Sequence, residues 1–381
     1  MPEFSYAHAA ASTWQDAADA CLTQLDGVAQ DANLGFLYLT DHLADDASKI
    51  LAYLKQHSSV RQWTGAVGIG ICASGCEYLD QPALAVMLGT FDKGSFRIFS
   101  GLSSAEDLGA PSMNRAMRCG SAPANFAVVH GDPANAAIAE IIVELTKHIE
   151  SGFVVGGLTS SRRRNVQIAN RTLQGGASGV LFSSEIVIST RLTQGCTPIA
   201  KPHTITGCQR NLIMTLDDRP ALDVFIADIG ETLARDLNRV GGLIFAGLPI
   251  PGSNLPGGPD GGGDYLVRNL VGIDPTNKII AIGDWVAPGM SMMFCRRDRV
   301  AATLDMERML TSIKSGLYGK PKGGLYYSCL GRGASLFGDN SEELRMIRDA
   351  LGEFPLVGMF CNGEISHNRL YGYTGVLTLF V

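Results

Sequence analysis

Phe354-Pro355-Leu356-Val357-Gly358-Met359-Phe360-Cys361-Asn362-Gly363-Glu364-Ile365-Ser366 is the stretch whose reading decides the fold. The apolar run Leu356 to Phe360 predicts a buried strand. It breaks into Cys361-Asn362-Gly363-Glu364, a turn that carries a thiol, an amide and a carboxylate. Upstream, Gly324-Leu325-Tyr326-Tyr327 predicts a second strand, which breaks into Gly331-Arg332-Gly333. Between the two, Ser341 to Leu351 places Leu344, Ile347 and Leu351 on one helical face. A strand, a helix and a strand in this order predict two strand ends at one end of a sheet, one offering an arginine and the other a glutamate.

The same order recurs twice toward the N-terminus. Gly35 to Leu39, a helix carrying Ile50, Leu51 and Leu54, and Ala66 to Ile71 form one such run. Phe126 to Val129, a helix carrying Ile138, Ile141, Ile142, Leu145 and Ile149, and Phe153 to Gly157 form the other. Leu37 to Gly70, Ala127 to Gly157 and Leu325 to Gly358 are similar separations, and each second strand ends in a glycine break. We read this as an internal triplication with insertions in its loops. The predicted fold class is α/β (α+β), with mixed β-sheets and outer helices, in an internally duplicated layered sandwich of two modules.

The rest of the chain reads differently. Ala17 to Val28 predicts a helix within an N-terminal helical lead-in, residues 1–33. Pro220 to Val240 predicts one long amphipathic helix through Leu222, Phe225, Ile229, Leu233 and Leu237. The segment 252–263 is too rich in glycine and proline for a helix or a central strand, and it lacks the order of a phosphate-binding loop. Hairpin strands follow at Leu266–Val271, Ile279–Ile282 and Met292–Cys295, with a turn at Asp274-Pro275-Thr276-Asn277. Met306 to Ile313 closes the region as a helix. Domain boundaries are placed at 34–218 and 219–381.

Composition narrows the function. Hydrophobic residues make up 46% and charged residues 18%, so the chain has material for a buried core. A net charge of -6 argues against nucleic acid or an anionic membrane surface as partner, and Arg162-Arg163-Arg164 is too short a basic run to reverse that. No apolar run reaches membrane-spanning length, and the first residues do not read as a secretory leader. The odd count of nine cysteines fits reduced thiols, hence a cytoplasmic protein. Cys72 and Cys76 have no second pair with which to hold zinc.

Several of these segments together resemble the FIST family, in which an N-terminal module precedes a C-terminal one. The resemblance is carried by Pro220-Ala221-Leu222-Asp223-Val224-Phe225, by Val267 to Asp274, and by Gly331-Arg332-Gly333. Leu336-Phe337-Gly338 and Gly358 to Ile365 complete the C-terminal part, and Gly70 to Gly75 carries a looser N-terminal likeness. It implies a cytoplasmic sensory protein of signal transduction that binds a small molecule such as an amino acid. It also implies, as an alternative, a non-covalent haem-binding nitric oxide sensor acting on a separate histidine kinase. Because the two modules use up this length, output is expected to pass through a separate signalling protein.

The residues themselves offer matching chemistry. Arg332 between two glycines presents a fork suited to a carboxylate, with Gly331 and Gly333 allowing close approach. Glu364 and Asn362 then suit the ammonium and hydrogen-bonding groups of the same ligand; equally, Arg332 and Glu364 suit pairing with each other. Cys361 lies beside them, and Arg268 is a second anchor. Haem would need an axial histidine, among which His42, His130, His203 and His367 are candidates and His130, at a strand end, is best placed. Cys329 and Cys361 at neighbouring strand ends leave a Cys-dependent hydrolase or transferase as a third reading, although no complete catalytic set is visible and an enzyme is not the expectation.

Overall fold

The computed structural model describes residues 3–27, 30–237, 240–250 and 264–381. The chain forms two compact units, one of residues 1–193 with 307–381 and one of residues 194–306. Val28 and the glycine-rich segment 252–263 lie outside the described residues.

The three strand–helix–strand runs are real and build the first unit. Each gives a parallel pair: Leu34–Thr40 with Gln62–Gly68, Phe126–Gly131 with Phe153–Leu158, and Gly323–Cys329 with Leu356–Cys361. An antiparallel strand flanks each pair, respectively Ala83–Thr90, Ala177–Phe182 and Thr374–Phe380. An edge strand completes that side: Glu3–Ala10, Phe96–Leu102 and Ile188–Gln194. The lead-in therefore opens with a strand, and its helix runs Trp14–Gln24, capped by the Thr13 hydroxyl.

The far side of each six-stranded sheet is completed by a hairpin from another repeat. The first repeat's Gly70–Ala73 pairs with the third repeat's Leu356–Cys361. Gln167–Ala169, from the second repeat, pairs with the first repeat's Gln62–Gly68. Glu364–Ser366, from the third, pairs with the second repeat's Phe153–Leu158. The exchange is cyclic, so the repeats are related by a pseudo-threefold arrangement. Three sheets enclose one core in which Phe36, Val128 and Leu325 meet. Alternate residues face outward, where Leu37 packs with the helix Ala47–His57 and Val129 with Ile138–Lys147.

One glycine per repeat marks the equivalence. Gly65 lies opposite Leu37, Gly156 opposite Val129 and Gly358 opposite Tyr326. A Cβ at these positions would sit 1.8, 1.9 and 1.7 Å from the facing carbonyl oxygen. The first-repeat counterpart of Gly358 is thus Gly65; Gly70 belongs to the exchanged hairpin. Only a residue without a side chain lets the strands approach this closely.

In the second unit, the strands His203–Gln209, Leu212–Leu216, Ile279–Ile282, Tyr265–Asp274, Ile244–Pro249 and Ser291–Arg297 pair in that order, and the last pairs back to the first. This closed antiparallel barrel leaves few free edges. The helix expected over 220–240 runs only Ala221–Ile229, stopping at Gly230 with φ +79°, and a short turn Glu231–Ala234 follows. The helix expected at Met306–Ile313 is longer, Arg299–Ser315.

Candidate functional site

Pseudo-equivalent residues one position past the marked carbonyls converge at the centre of the first unit. They are Tyr38, His130 and Tyr327, all fully buried. The Tyr38 hydroxyl lies 2.6 Å from that of Tyr327 and 3.1 Å from His130 Nε2, which is 3.4 Å from the Tyr327 hydroxyl. Burial pushes His130 down to about 3, so the imidazole is neutral, and its Nδ1 has no hydrogen-bond partner. Both tyrosine rings stand edge-on to the imidazole with centroids 5.6 and 6.0 Å away. A porphyrin on Nε2 would have to occupy the space of those rings, so Nε2 does not fit a haem ligand. His203 is held between Asp217 and Asp228, at 2.6 and 2.8 Å.

The turn after the third repeat's first strand holds Arg332 fully buried. Its Nε donates to Glu343 Oε1 at 2.7 Å, and its guanidinium lies 5.0 Å from the centroid of the Phe337 ring. Glu343 also accepts from the Tyr326 hydroxyl, the Ser328 hydroxyl and the Gly333 amide. Burial alone would lower the arginine, but the Glu343 charge more than offsets it and holds the guanidinium protonated. Both terminal nitrogens, Nη1 and Nη2, have no hydrogen-bond partner within the protein.

Glu77, from the exchanged hairpin of the first repeat, joins this cluster. Its Oε2 would lie 3.0 Å from a Cβ at Gly333, and its carboxylate feels the backbone amide of Ala334 in the same turn. The residue is half-buried, and burial followed by the Glu343 charge pushes its carboxyl up to about 7.

Glu364 lies elsewhere. Tyr326 and Ser328 turn outward to Glu343, whereas Tyr327 turns to the core, and Cys329 follows the same alternation. Glu364 pairs with Gly157, where a Cβ would meet the Cys361 sulfur, so its side chain is on the core side. It accepts from the Thr374 amide at 3.1 Å and hydroxyl at 2.7 Å, while Oε1 has no partner. Burial, only partly opposed by Thr374, pushes it up to about 8. Arg332 therefore pairs with Glu343 and Glu364 with Thr374, so the direct Arg332–Glu364 pair does not form, although the Arg332 charge still acts on Glu364 and lowers it.

The other expected residues divide as well. Cys329 and Cys361 are register partners, as the strand order suggested, and burial pushes both thiols up, away from the thiolate a nucleophile needs. Asn362 is exposed, Gly331 is half-buried, and Gly333 is buried with φ +56°. Arg268 belongs to the second unit, where its Nε donates to Asp284 at 2.7 Å. All nine cysteines are free, and no metal-holding cluster occurs among the described residues. The principal residue missed in sequence is Glu343. It had a signal: it stands four and eight positions before Ile347 and Leu351, on the buried helical stripe.

The fold and these closed polar clusters define an α/β protein of three interlocked repeats joined to a β-barrel. The chain belongs to the FIST family: residues 33–219 match the FIST N domain and 221–367 the FIST C domain. It is similar to the Mycobacterium tuberculosis protein called "Uncharacterized protein Rv0628c", 30% identical over 358 residues that cover 88% of each chain. A Mycobacterium bovis protein, "Uncharacterized protein Mb0898c", is 28% identical over 369 residues, 91% of this chain and 89% of its own. FIST domains are associated with sensing in signal transduction. Among the described residues, no helix is long and apolar enough to cross a membrane.

Proposed function

We propose that this protein is a cytoplasmic sensor whose ligand is a small amino-acid-type zwitterion held at Arg332. One observation carries the reading: the buried guanidinium donates through Nε to Glu343, with the Tyr326 hydroxyl beside it, and Nη1 and Nη2 make no hydrogen bond of good geometry. Buried donors of this kind are normally satisfied, and a carboxylate matches two parallel N–H groups. Glu77 replaces Glu364 as the acidic partner, since its carboxylate is by the same glycine turn as Arg332. A zwitterion adds no net charge beside Glu343 and Glu77, whereas a plain anion would. Arg332 is closed to water, so admission requires the 331–333 turn to move, and half-exposed Glu77 marks the side of entry. Output then runs through a separate signalling protein, such as a histidine kinase.

The test is a thermal-shift screen of amino acids and simple carboxylic acids. Amino acids should raise the melting temperature of the wild type and fail to do so in Arg332→Lys, which keeps charge but loses the fork, and in Glu77→Gln. A screen without hits, or hits that persist in both variants, would refute the assignment.

A further inference from the structure

A second feature of the first unit is independent of Arg332. A cleft of about 590 Å³ opens where the first repeat's parallel strands begin, beside the edge strand Phe96–Leu102. Lys93 and Arg97 line it, and no acidic residue does. Neither cation forms an ion pair or a hydrogen bond with the described residues, and Arg97 Nε is shielded from water with no partner. The contrast within the chain is sharp: Arg162 binds Asp41 and Asp80, and Arg163 and Arg164 reach Asp45. In a protein of net charge -6, two uncompensated cations on one concave surface concentrate positive potential there.

The remaining lining defines the visitor further. Asn170 Nδ2 donates to Gln62 Oε1 at 2.6 Å, which orients the Gln62 amide and leaves its Nε2 as another donor. Phe96 and Ile98 add half-buried apolar surface to the same cleft. Donors without acceptors beside an apolar wall fit an anionic head on a hydrophobic body, and the volume falls within the usual range for small-molecule sites. We infer that this cleft binds a small organic anion, with Lys93, Arg97 and Gln62 on the anionic group and Phe96 and Ile98 against the body.

Titration calorimetry with phenyl phosphate, benzoate and uncharged benzyl alcohol tests this on the full chain. Saturable binding of at least one anion, with benzyl alcohol weaker by about tenfold or more, is expected; that ratio is equivalent to about 1.4 kcal/mol. Whichever anion binds more tightly names the head group. The double variant Lys93→Ala/Arg97→Gln should lose about tenfold in affinity, with an unchanged far-ultraviolet spectrum. Arg332→Lys should bind these probes as the wild type does, which separates the cleft from the Arg332 site. Equal binding of the alcohol, insensitivity to the double variant, or no saturable binding by any of the three would overturn the inference.

Discussion

Replacing Gly156 by alanine tests the threefold construction at one atom. The new methyl would lie 1.9 Å from the Val129 carbonyl oxygen and 2.8 Å from its carbonyl carbon, both of them backbone. No rotamer relieves such an overlap, so the parallel strands must part where they carry His130 into the core. The φ of +144° adds strain for any L side chain. Overpacking costs about 1–3 kcal/mol and a disallowed backbone conformation about 1–3 kcal/mol, so a loss of roughly 2–6 kcal/mol is expected. At about 2 °C per kcal/mol for a chain of this size, the melting temperature should fall by roughly 4–12 °C. The control is Gly109→Ala, where an added Cβ meets nothing within 4 Å. Differential scanning calorimetry on both variants decides the matter. If Gly156→Ala melts within about 1 °C of the control, the close approach is not a requirement of the fold.

Removing Glu343 as alanine strands the buried guanidinium and should cost roughly 3–5 kcal/mol in urea denaturation; a loss below about 1 kcal/mol would show the pair to be solvated. Glu364 gives a pH signature: its folded value, about 8, is above the ordinary 4.5, so the folded state keeps a proton the unfolded state releases. Stability should therefore fall as pH rises from 4.5 to about 8, and Glu364→Gln, which still accepts from Thr374, should flatten that slope; an unchanged slope assigns it to other groups. Under native conditions, a maleimide should label the half-buried Cys76 and Cys208 well before Cys329 or Cys361, and mass spectrometry showing the reverse order would restore a nucleophilic role to the strand-end thiols.

The sequence by itself determined the three strand–helix–strand units, because burial on both faces of a parallel strand and on one face of its helix leaves apolar patterns that need no partner to be read. Leu356 to Phe360, the stripe through Ile347 and the pairing of Cys329 beside Cys361 were all legible in this way. The break at Gly230 was not, since the apolar spacing through Leu233 and Leu237 continues past it and hides the single residue that turns the backbone.

Only the tertiary structure decided which groups meet. Gly358 pairs with Cys72 and Glu364 with Gly157 because each hairpin crosses to a different repeat. Arg332 found Glu343 rather than Glu364 because the helix Glu342–Leu351 carries Glu343 to the glycine turn, while Thr374 takes Glu364. Local periodicity records which side of an element is apolar; it holds no information about which distant element will cover that side. The partners of buried charges therefore emerge only once the chain has closed on itself.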